Sequence, residues 1–379
     1  MLVFGFAALS TVAVSAALPA GLVAEKVNPR VGEVQPTPYA RTPSSAQPVD
    51  DRVRFGQLDD ELGGAVERFP ASSSVYFVTV TEPQQSVLSW WVGRDEPAIE
   101  FLTDEQKFGL QTPEQRRVFA LESMRSSEQV AQFVALDALG YEVEIVPGDV
   151  LVQQLVCLEP SDDGRECLRE SPSAEFLEPG DRLIAADGVE LEGVEDLTRV
   201  VSPKAPGDTL ELRLERPQEG ELTVTVELTV SPTDPDRTIV GFVPFDTRRV
   251  VLPFEVSIDT GRIGGPSAGL AFTLALIDQL TPGDLLGGRD VAVTGTIELD
   301  GSVGAIGGLR QKASAVAQSG VEVFLVPAAQ SDADIEAARR AGGDGLEVVP
   351  VASLDEALEV LASLGGAPVD DRSAATATD

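Results

Sequence analysis

A glycine-rich turn that runs directly into a long apolar segment constrains the fold of this chain more than any other feature. Residues 262–269 read Arg-Ile-Gly-Gly-Pro-Ser-Ala-Gly, and residues 270–277 are apolar except for one threonine. Glycine lets two backbone segments approach closely, and proline is favoured at the first position of a helix. An apolar run of this kind belongs inside a protein rather than on its surface. The pattern therefore predicts a turn followed by a buried helix.

This arrangement places Ser267 at the start of the predicted helix. The first N–H groups of a helix lack partners within it, and the helix dipole makes that end positive. A loop formed by Gly265, Pro266 and Ala268 is therefore a candidate for holding the oxyanion that develops during acyl transfer. The alternative is that Ser267 only caps a core helix.

A second segment, residues 303–317, is also a glycine-containing turn that leads into a helix. Lys312 follows Leu309 by three residues and precedes Val316 by four, which places it on the apolar face of that helix. Burial disfavours the charged amine and can lower a lysine pKa by up to ~3 to 5 units, so Lys312 is a candidate general base. The alternative is a packed stem whose amine reaches water.

Composition limits the chemistry that remains. The chain has no histidine, which excludes a Ser-His-Asp triad, a Cys-His pair and an HExxH zinc site. Its 62 acidic residues exceed its 28 basic residues, giving a net charge of -34, so it repels phosphate backbones and nucleic acid is not an expected partner. No Gly-x-x-x-x-Gly-Lys-Ser/Thr loop occurs, so no nucleotide is expected either.

The N-terminal region predicts a membrane segment followed by a linker. Residues 1–24 carry no charged side chain and are long enough to span the hydrocarbon layer as one helix. We interpret them as a retained anchor, with a cleaved signal peptide as the alternative. Residues 25–70, rich in Pro, Ser, Thr, Gln and Asp, are interpreted as a linker.

The pattern of predicted strands and helices divides the remaining chain into four segments. An α/β segment is predicted for residues 71–140, a β-rich module for 141–232, further strands and helices for 238–364, and a disordered tail for 365–379. The predicted fold class is α+β, with a β-rich module beside a domain of mixed α/β structure.

The β-rich module contains a strong motif. Residues 171–189 read Ser-Pro-Ser-Ala-Glu-Phe-Leu-Glu-Pro-Gly-Asp-Arg-Leu-Ile-Ala-Ala-Asp-Gly-Val, and residues 206–214 supply a later turn and strand. This stretch resembles PDZ domains. The resemblance implies that an extended peptide adds to a sheet edge beside a carboxylate-binding loop. By position, that loop and the strand after it are Gly148, Asp149, Val150 and Leu151, although the family's glycine signature is missing and Asp149 brings a negative charge. A purely structural module is the alternative.

The two cysteines, Cys157 and Cys167, flank a short polar segment that interrupts the PDZ-like pattern. Two cysteines closing such a loop favour a disulfide in an oxidising compartment, whereas two unrelated thiols are the alternative. A disulfide would place the module outside the cytoplasm.

Taken together, the serine and lysine segments resemble the Lon-type serine proteases, which use a Ser–Lys dyad. The resemblance covers roughly residues 241–364 and includes Gly-Pro-Ser-Ala-Gly at 265–269, Thr-Gly-Thr-Ile at 294–297, the segment 301–312 and Val-Phe-Leu-Val-Pro at 323–327. It implies Ser267 as nucleophile, Lys312 as base and Thr294 as a hydroxyl near the lysine. Many relatives carry an acidic residue where this chain has Gly264, so a supporting carboxylate is not carried over.

The resemblance implies a serine endopeptidase. Because no phosphate-binding loop motif occurs in the sequence, we expect it to cleave unfolded or flexible polypeptides without ATP, and we expect no cofactor and no metal. The order of segments resembles bacterial membrane-anchored PDZ and Lon-like proteases. We therefore expect a single-pass cell-membrane protein with extracytoplasmic soluble domains, and leave a homo-oligomer open. Two alternatives remain, a peptidase fed by a separate ATPase and a catalytically silent PDZ scaffold at the membrane.

Overall fold

A computed structural model of the chain describes residues 14–27, 34–56, 68–69, 73–108, 113–146, 148–160, 167–216, 219–232, 237–247 and 249–369. In chain order, the strands in these ranges are β1 (Glu25–Val27), β2 (Val34–Pro36), β3 (Tyr39–Pro48), β4 (Val53–Phe55), β5 (Val75–Thr81), β6 (Glu100–Leu102), β7 (Glu144–Val146), β8 (Val150–Leu155), β9 (Cys157–Pro160), β10 (Cys167–Glu170), β11 (Arg182–Ala186), β12 (Val189–Glu190), β13 (Thr209–Arg216), β14 (Gly220–Glu227), β15 (Thr229–Val230), β16 (Thr238–Ile239), β17 (Phe242–Asp246), β18 (Arg249–Val251), β19 (Val256–Ile258), β20 (Val291–Val293), β21 (Thr296–Ile297), β22 (Val303–Gly304), β23 (Val323–Pro327) and β24 (Glu347–Val351).

The α-helices are α1 (Val87–Gly93), α2 (Asp104–Phe108), α3 (Pro113–Ala138), α4 (Val194–Val201), α5 (Gly269–Leu280), α6 (Leu309–Ser319), α7 (Asp332–Gly342) and α8 (Leu354–Ser363). The predicted helix after Ser267 is α5, and every residue of α5 is buried. The lysine helix is α6, which begins after Gly308 in a left-handed conformation (φ 72°) and ends at Gly320 (φ 82°).

A six-stranded sheet in the order β24-β23-β20-β5-β3-β6 organises the main domain, which we define as residues 18–146 and 249–369. Strands β24, β23, β20 and β5 run parallel, whereas β3 is antiparallel to both β5 and β6. One face of the sheet packs against α3, α5 and α8, and the other face packs against α6 and α7. Because side chains alternate between the two faces of a strand, the short central strands are buried on both sides.

The β-rich part forms an inserted module, which we define as residues 148–247. Its sheet has the order β14-β13-β11-β8-β17 and surrounds a separate hydrophobic core that includes Leu183, Leu212 and Phe242. The predicted boundary at residue 232 is too early, because β17 (Phe242–Asp246) pairs with β8 along most of its length.

The inserted module leaves the main domain through a two-stranded neck. Strand β7 pairs antiparallel with β18, with Val146 opposite Arg249. The predicted segments 71–140 and 238–364 are therefore not separate domains, because β5 lies beside β20 in one sheet and α3 packs on α5. The two segments are far apart in the sequence, and parallel strands can pair across long intervening stretches of chain, so the sequence does not show that they form one domain.

The predicted linker at residues 25–70 is wrong for its described part. Strand β3 (Tyr39–Pro48) lies within the main sheet, and β4 pairs with β19. Its composition suggested a linker because it contains Pro43 and Pro48. Both prolines lie where β3 pairs with β5 on one side only, and proline is tolerated at such an edge. Residues 28–33, 57–67 and 70 lie outside the described residues.

The two chain ends also differ from expectation. Residues 14–17 are helical, but the backbone leaves this helix at Leu18, and Ala20 and Ala24 are fully buried against the main domain. Residues 18–24 are thus not part of one continuous helix; the rest of the predicted anchor, residues 1–13, lies outside the described residues. In the described ranges, no helix has both the length and the apolar character needed to span a membrane. Residues 365–369, predicted to be disordered, pack on the main domain through Ala367 and Val369, while 370–379 are outside the description.

Candidate active site

The structure brings Ser267 and Lys312 together across 45 residues of sequence. The Lys312 Nζ lies 2.6 Å from the Ser267 Oγ. Ser267 is held in the turn before α5, and Lys312 lies in the first turn of α6 with only 2% of its surface exposed. An amine whose stem packed while its head reached water would be far more exposed, so the snorkelling alternative does not describe this lysine.

Thr294 completes a hydrogen-bonded chain behind the two residues. The Lys312 amine donates to Thr294 Oγ1 at 2.9 Å, and the Thr294 hydroxyl donates to the Ser267 carbonyl at 3.0 Å. The Thr294 proton is therefore committed, which leaves its oxygen to accept from the lysine. A neutral amine held in this way can direct its lone pair towards the Ser267 hydroxyl.

Burial sets the protonation of the lysine. Desolvation lowers the pKa of Lys312 from 10.5 to about 7. No carboxylate among the described residues forms an ion pair with it, so nothing restores the charged form. A substantial fraction of the amine is therefore neutral near neutral pH, as a general base requires.

The predicted set of oxyanion donors, Gly265, Pro266 and Ala268, is only partly right. Pro266 has no N–H, and the N–H of Gly265 donates to the Ala120 carbonyl at 2.7 Å, so neither can bind an oxyanion. Within the described ranges, no acceptor pairs with the N–H groups of Ser267 and Ala268. These two adjacent donors, at the start of α5, are the available ones.

Helix α3 supports this loop from the opposite side. Besides the Ala120 carbonyl, the Ser127 hydroxyl donates to the Pro266 carbonyl at 2.9 Å. A side chain at Gly264 would place its Cβ 2.8 Å from the Ala120 Cβ and 2.9 Å from the Ala120 carbonyl carbon. The glycine at this position is thus explained by the close approach of α3.

Residues 257–363 match the model of the Lon protease (S16) C-terminal proteolytic domain. Among curated proteins, the Lon protease of Trichlorobacter lovleyi is 37% identical over 108 residues, which are 28% of this chain and 13% of that protein. The archaeal Lon protease of Methanocaldococcus jannaschii is 32% identical over 128 residues, or 33% of this chain and 18% of that protein. These residues form a Lon-type proteolytic domain. The family is one of Ser–Lys dyad peptidases, and this chain spans less than a fifth of the length of either relative.

The Lon match begins at residue 257, yet the site depends on residues before it. A cleft of about 360 Å³ at Ser267 and Lys312 is also lined by β3, β5 and α3, through residues such as Ser45, Thr79 and Met124. None of these residues belongs to a recognisable sequence motif, so they could not be assigned to the site from the sequence. The one available signal was Gly264, since a glycine in place of an acidic residue indicates a close backbone approach.

Among solved structures, the PDZ domain of the SdrC-like protein from Listeria monocytogenes is similar to part of this chain. The identity is 20%, the match covers 26% of this chain and 87% of that one, and the TM-score is 0.20.

The predicted peptide-binding loop of the inserted module is already engaged within the chain. Strand β8 pairs with β11 on one edge and with β17 on the other, with Leu151 opposite Phe245. The N–H of Asp149 donates to the Thr247 Oγ1 at 2.8 Å. The edge of β8 that faces β17 is therefore filled along the strand, and Val150 and Leu151 are also paired with β11 on the other edge. Sequence patterns do not indicate this pairing, because β17 follows a turn cluster and lies in the segment 238–364 that is predicted to form the next domain.

Cys157 and Cys167 form a disulfide between β9 and β10, with their Cα atoms 5.7 Å apart. The two strands pair antiparallel, with Cys157 opposite Glu170 and Cys167 opposite Pro160, so the bond links the two strands of one hairpin. It lies in the inserted module, away from the Ser267 cleft, and therefore bears on the stability of the module rather than on the dyad.

Proposed function

We propose that this protein is a serine endopeptidase that cleaves unfolded or flexible polypeptides without ATP, with Ser267 as nucleophile and Lys312 as general base. The observation that carries the proposal is the 2.6 Å approach of the Lys312 Nζ to the Ser267 Oγ, made by a lysine whose pKa burial lowers to about 7. The assembled dyad also argues against a catalytically silent scaffold. A buried lysine with a strongly lowered pKa that contacts a serine at the start of a helix is typical of an active site rather than of a purely structural protein.

The chemistry follows from the positions of these groups. Ser267 Oγ attacks the scissile carbonyl carbon while its proton passes to the neutral Lys312 Nζ. The N–H groups of Ser267 and Ala268 stabilise the negative oxygen of the tetrahedral intermediate. The Lys312 ammonium then protonates the departing amine, and the regenerated base activates a water that hydrolyses the acyl-enzyme. Thr294 acts as a positioning residue, since it holds the amine without contacting the reacting carbon.

The setting we propose is extracytoplasmic, with the N-terminal segment as a membrane anchor. The Cys157–Cys167 disulfide supports an oxidising compartment. Residues 1–17, which carry no charged side chain and precede the point where the chain enters the main domain, support a membrane segment. Independence from ATP is supported by the lack of a phosphate-binding loop motif in these 379 residues.

Active-site titration tests the function directly. A serine-reactive fluorophosphonate should label one site per chain in the parent protein and none in Ser267→Ala. Casein should be cleaved at the same rate with and without ATP, and Ser267→Ala should lose at least about 1,000-fold in turnover, as expected when a catalytic nucleophile is removed. Undiminished casein cleavage by Ser267→Ala would show that another site does the chemistry.

We further propose that the inserted module presents substrate, and that this requires β17 to leave β8, because the β8 edge is otherwise filled. Joining Val146 to Arg249 by a two-residue turn removes the module and keeps the β7–β18 pair as a hairpin. This variant should cleave short peptides like the parent but lose several-fold activity on polypeptides with long unfolded tails. An equal loss on both substrates would assign the module a structural role.

An engineered disulfide between β17 and β8 tests separately whether β17 must leave β8. Val243 lies opposite Gln154 in the β17–β8 pair, so Val243→Cys with Gln154→Cys should lock β17 in place. The locked protein should resemble the module deletion on tailed substrates, while each single cysteine variant should resemble the parent.

A further inference from the structure

Arg262 is an exposed cation at the mouth of the cleft that holds Ser267 and Lys312. We propose that Arg262 selects substrates with an acidic side chain close to the scissile bond, by pairing its guanidinium with the substrate carboxylate. This inference rests on the proposed peptidase function and adds a substrate class to it.

The charges of the cleft point to this role. None of the described residues that line the cleft is acidic, and the only charged ones among them are Arg262 and Lys312. Lys312 is buried and hydrogen-bonded to Ser267 and Thr294. Arg262 is therefore the charged side chain of the cleft lining that a bound substrate can contact.

Arg262 is also uncommitted within the described part of the chain. No carboxylate there lies within ion-pair distance of it, whereas Arg41 is held by Glu82 at 2.8 Å and Glu100 at 3.1 Å. The nearest acidic residue in sequence, Asp259, accepts from the N–H of Gly261 at 3.1 Å and so closes the turn.

The backbone fixes Arg262 relative to the nucleophile. The turn that carries it is closed by the Ile263 N–H, which donates to the Thr260 carbonyl at 3.0 Å, and Gly265 is tied to α3. The guanidinium is therefore presented from a held loop five residues before Ser267. A planar guanidinium can pair with a carboxylate through two parallel hydrogen bonds, which an uncharged amide side chain cannot replace.

The net charge of -34 makes the attraction between Arg262 and an acidic substrate dependent on distance and on salt. The field of the whole protein repels acidic peptides at a distance, so attraction must come from a nearby positive group. Such an attraction is screened by salt, because the Debye length falls from about 10 Å at 0.1 M to about 3 Å at 1 M. The preference for acidic peptides should therefore decline as salt is added.

The test uses the full-length protein and internally quenched peptides in matched pairs, with one Glu replaced by Gln at each position within three residues of the scissile bond. At the best position, the parent should prefer Glu to Gln by up to about fivefold in kcat/KM, which is the upper end of the range for one exposed ion pair. The preference should appear in KM, with kcat nearly unchanged, since the contact holds substrate and transition state alike.

Arg262→Gln should abolish the preference, measured as the ratio of kcat/KM for the Glu and Gln peptides of a pair, while fluorophosphonate labelling reports that Ser267 is still reactive. Arg262→Lys should keep part of it, and Arg262→Glu should reverse it. Arg289→Gln, which removes an exposed arginine outside the cleft, is the matched control and should behave like the parent.

The outcomes separate the two proposals. If Ser267 is labelled and the Gln peptides are cleaved, but the parent shows no preference or Arg262→Gln retains it, the role of Arg262 is refuted while the peptidase stands. If neither labelling nor cleavage occurs, both proposals are overturned.

Discussion

Lys312→Met is expected to lose turnover of casein completely while remaining folded. Methionine replaces the lysine stem with an apolar chain of similar length, so the packing of α6 is kept and only the base is removed. Lys312→Arg should also be inactive, because a guanidinium does not deprotonate in proteins and cannot accept the Ser267 proton. Activity in Lys312→Met at the parent level would refute the dyad.

The activity of the parent should depend on pH in a direction that the lysine fixes. Only the neutral amine can act as base, and burial lowers the pKa of Lys312 to about 7. We therefore expect kcat/KM to rise through about pH 7 and to level off above it. A rise centred near pH 10.5, the ordinary value for lysine, would show that the amine is not desolvated during catalysis.

The pH dependence of the free energy of unfolding is an independent measure of the Lys312 pKa. Between pH 7 and 10.5 the unfolded chain binds a proton at Lys312 that the folded chain does not, so this contribution to the free energy of unfolding increases with pH across that range. It is fully present above 10.5 and lost as pH falls through 7. Lys312→Met lacks this titration, so its stability relative to the parent should be greatest below pH 7. The difference should shrink by on the order of 5 kcal/mol by pH 10.5, at about 1.4 kcal/mol per pKa unit.

The dyad was predictable because each half is encoded locally. The apolar run after Ser267 and the spacing of Leu309, Lys312 and Val316 determine α5 and α6 over short stretches of chain. The turn glycines that begin these helices are likewise adjacent to the residues they position. These segments make Ser267 and Lys312 candidates, and the resemblance to Lon-type proteases implies their roles as nucleophile and base. The packing of α5 and α6 on one sheet brings the two side chains within hydrogen-bond distance.

The elements that complete the cleft were not predictable, because they depend on contacts distant in sequence. Strand β3 has the proline and serine content of a linker, and only its pairing with β5 and β6 makes it part of the sheet. Helix α3 was identified as a helix, but its composition does not indicate that Ala120 accepts from Gly265, 145 residues away. Such a contact reflects tertiary packing, which outweighs local preference.

The pairing of β17 with β8 was missed for a related reason. A turn cluster before residue 238 suggested a domain boundary, and the chain after it was assigned to the next domain. Strand β17 instead returns along β8, continuing the line that β7 and β18 begin in the neck. The edge expected to receive a foreign peptide is thus filled by the segment that leads back to the main domain.

Gly264→Asp introduces the kind of residue that many Lon-type proteases carry before Gly-Pro-Ser-Ala-Gly, and here we expect it to reduce kcat/KM by about 100-fold or more. The new Cβ would lie 2.8 to 3.0 Å from the Cβ and carbonyl group of Ala120, so the loop and α3 must move apart. That movement breaks the Gly265 N–H bond to the Ala120 carbonyl and shifts Ser267 relative to Lys312. A displacement of about 1 Å between reacting groups costs on the order of 100-fold in rate.

The defect should be confined to the site, which a control can show. Gly345→Ala adds a Cβ where no atom lies within 4 Å, so it should match the parent in activity and thermal unfolding. Gly264→Asp should remain folded, because the loop is partly exposed, but it should react with fluorophosphonate far more slowly than the parent. If Gly264→Asp were as active as the parent, the contact with α3 would not be what positions Ser267, and a supporting carboxylate would be tolerated at this site after all.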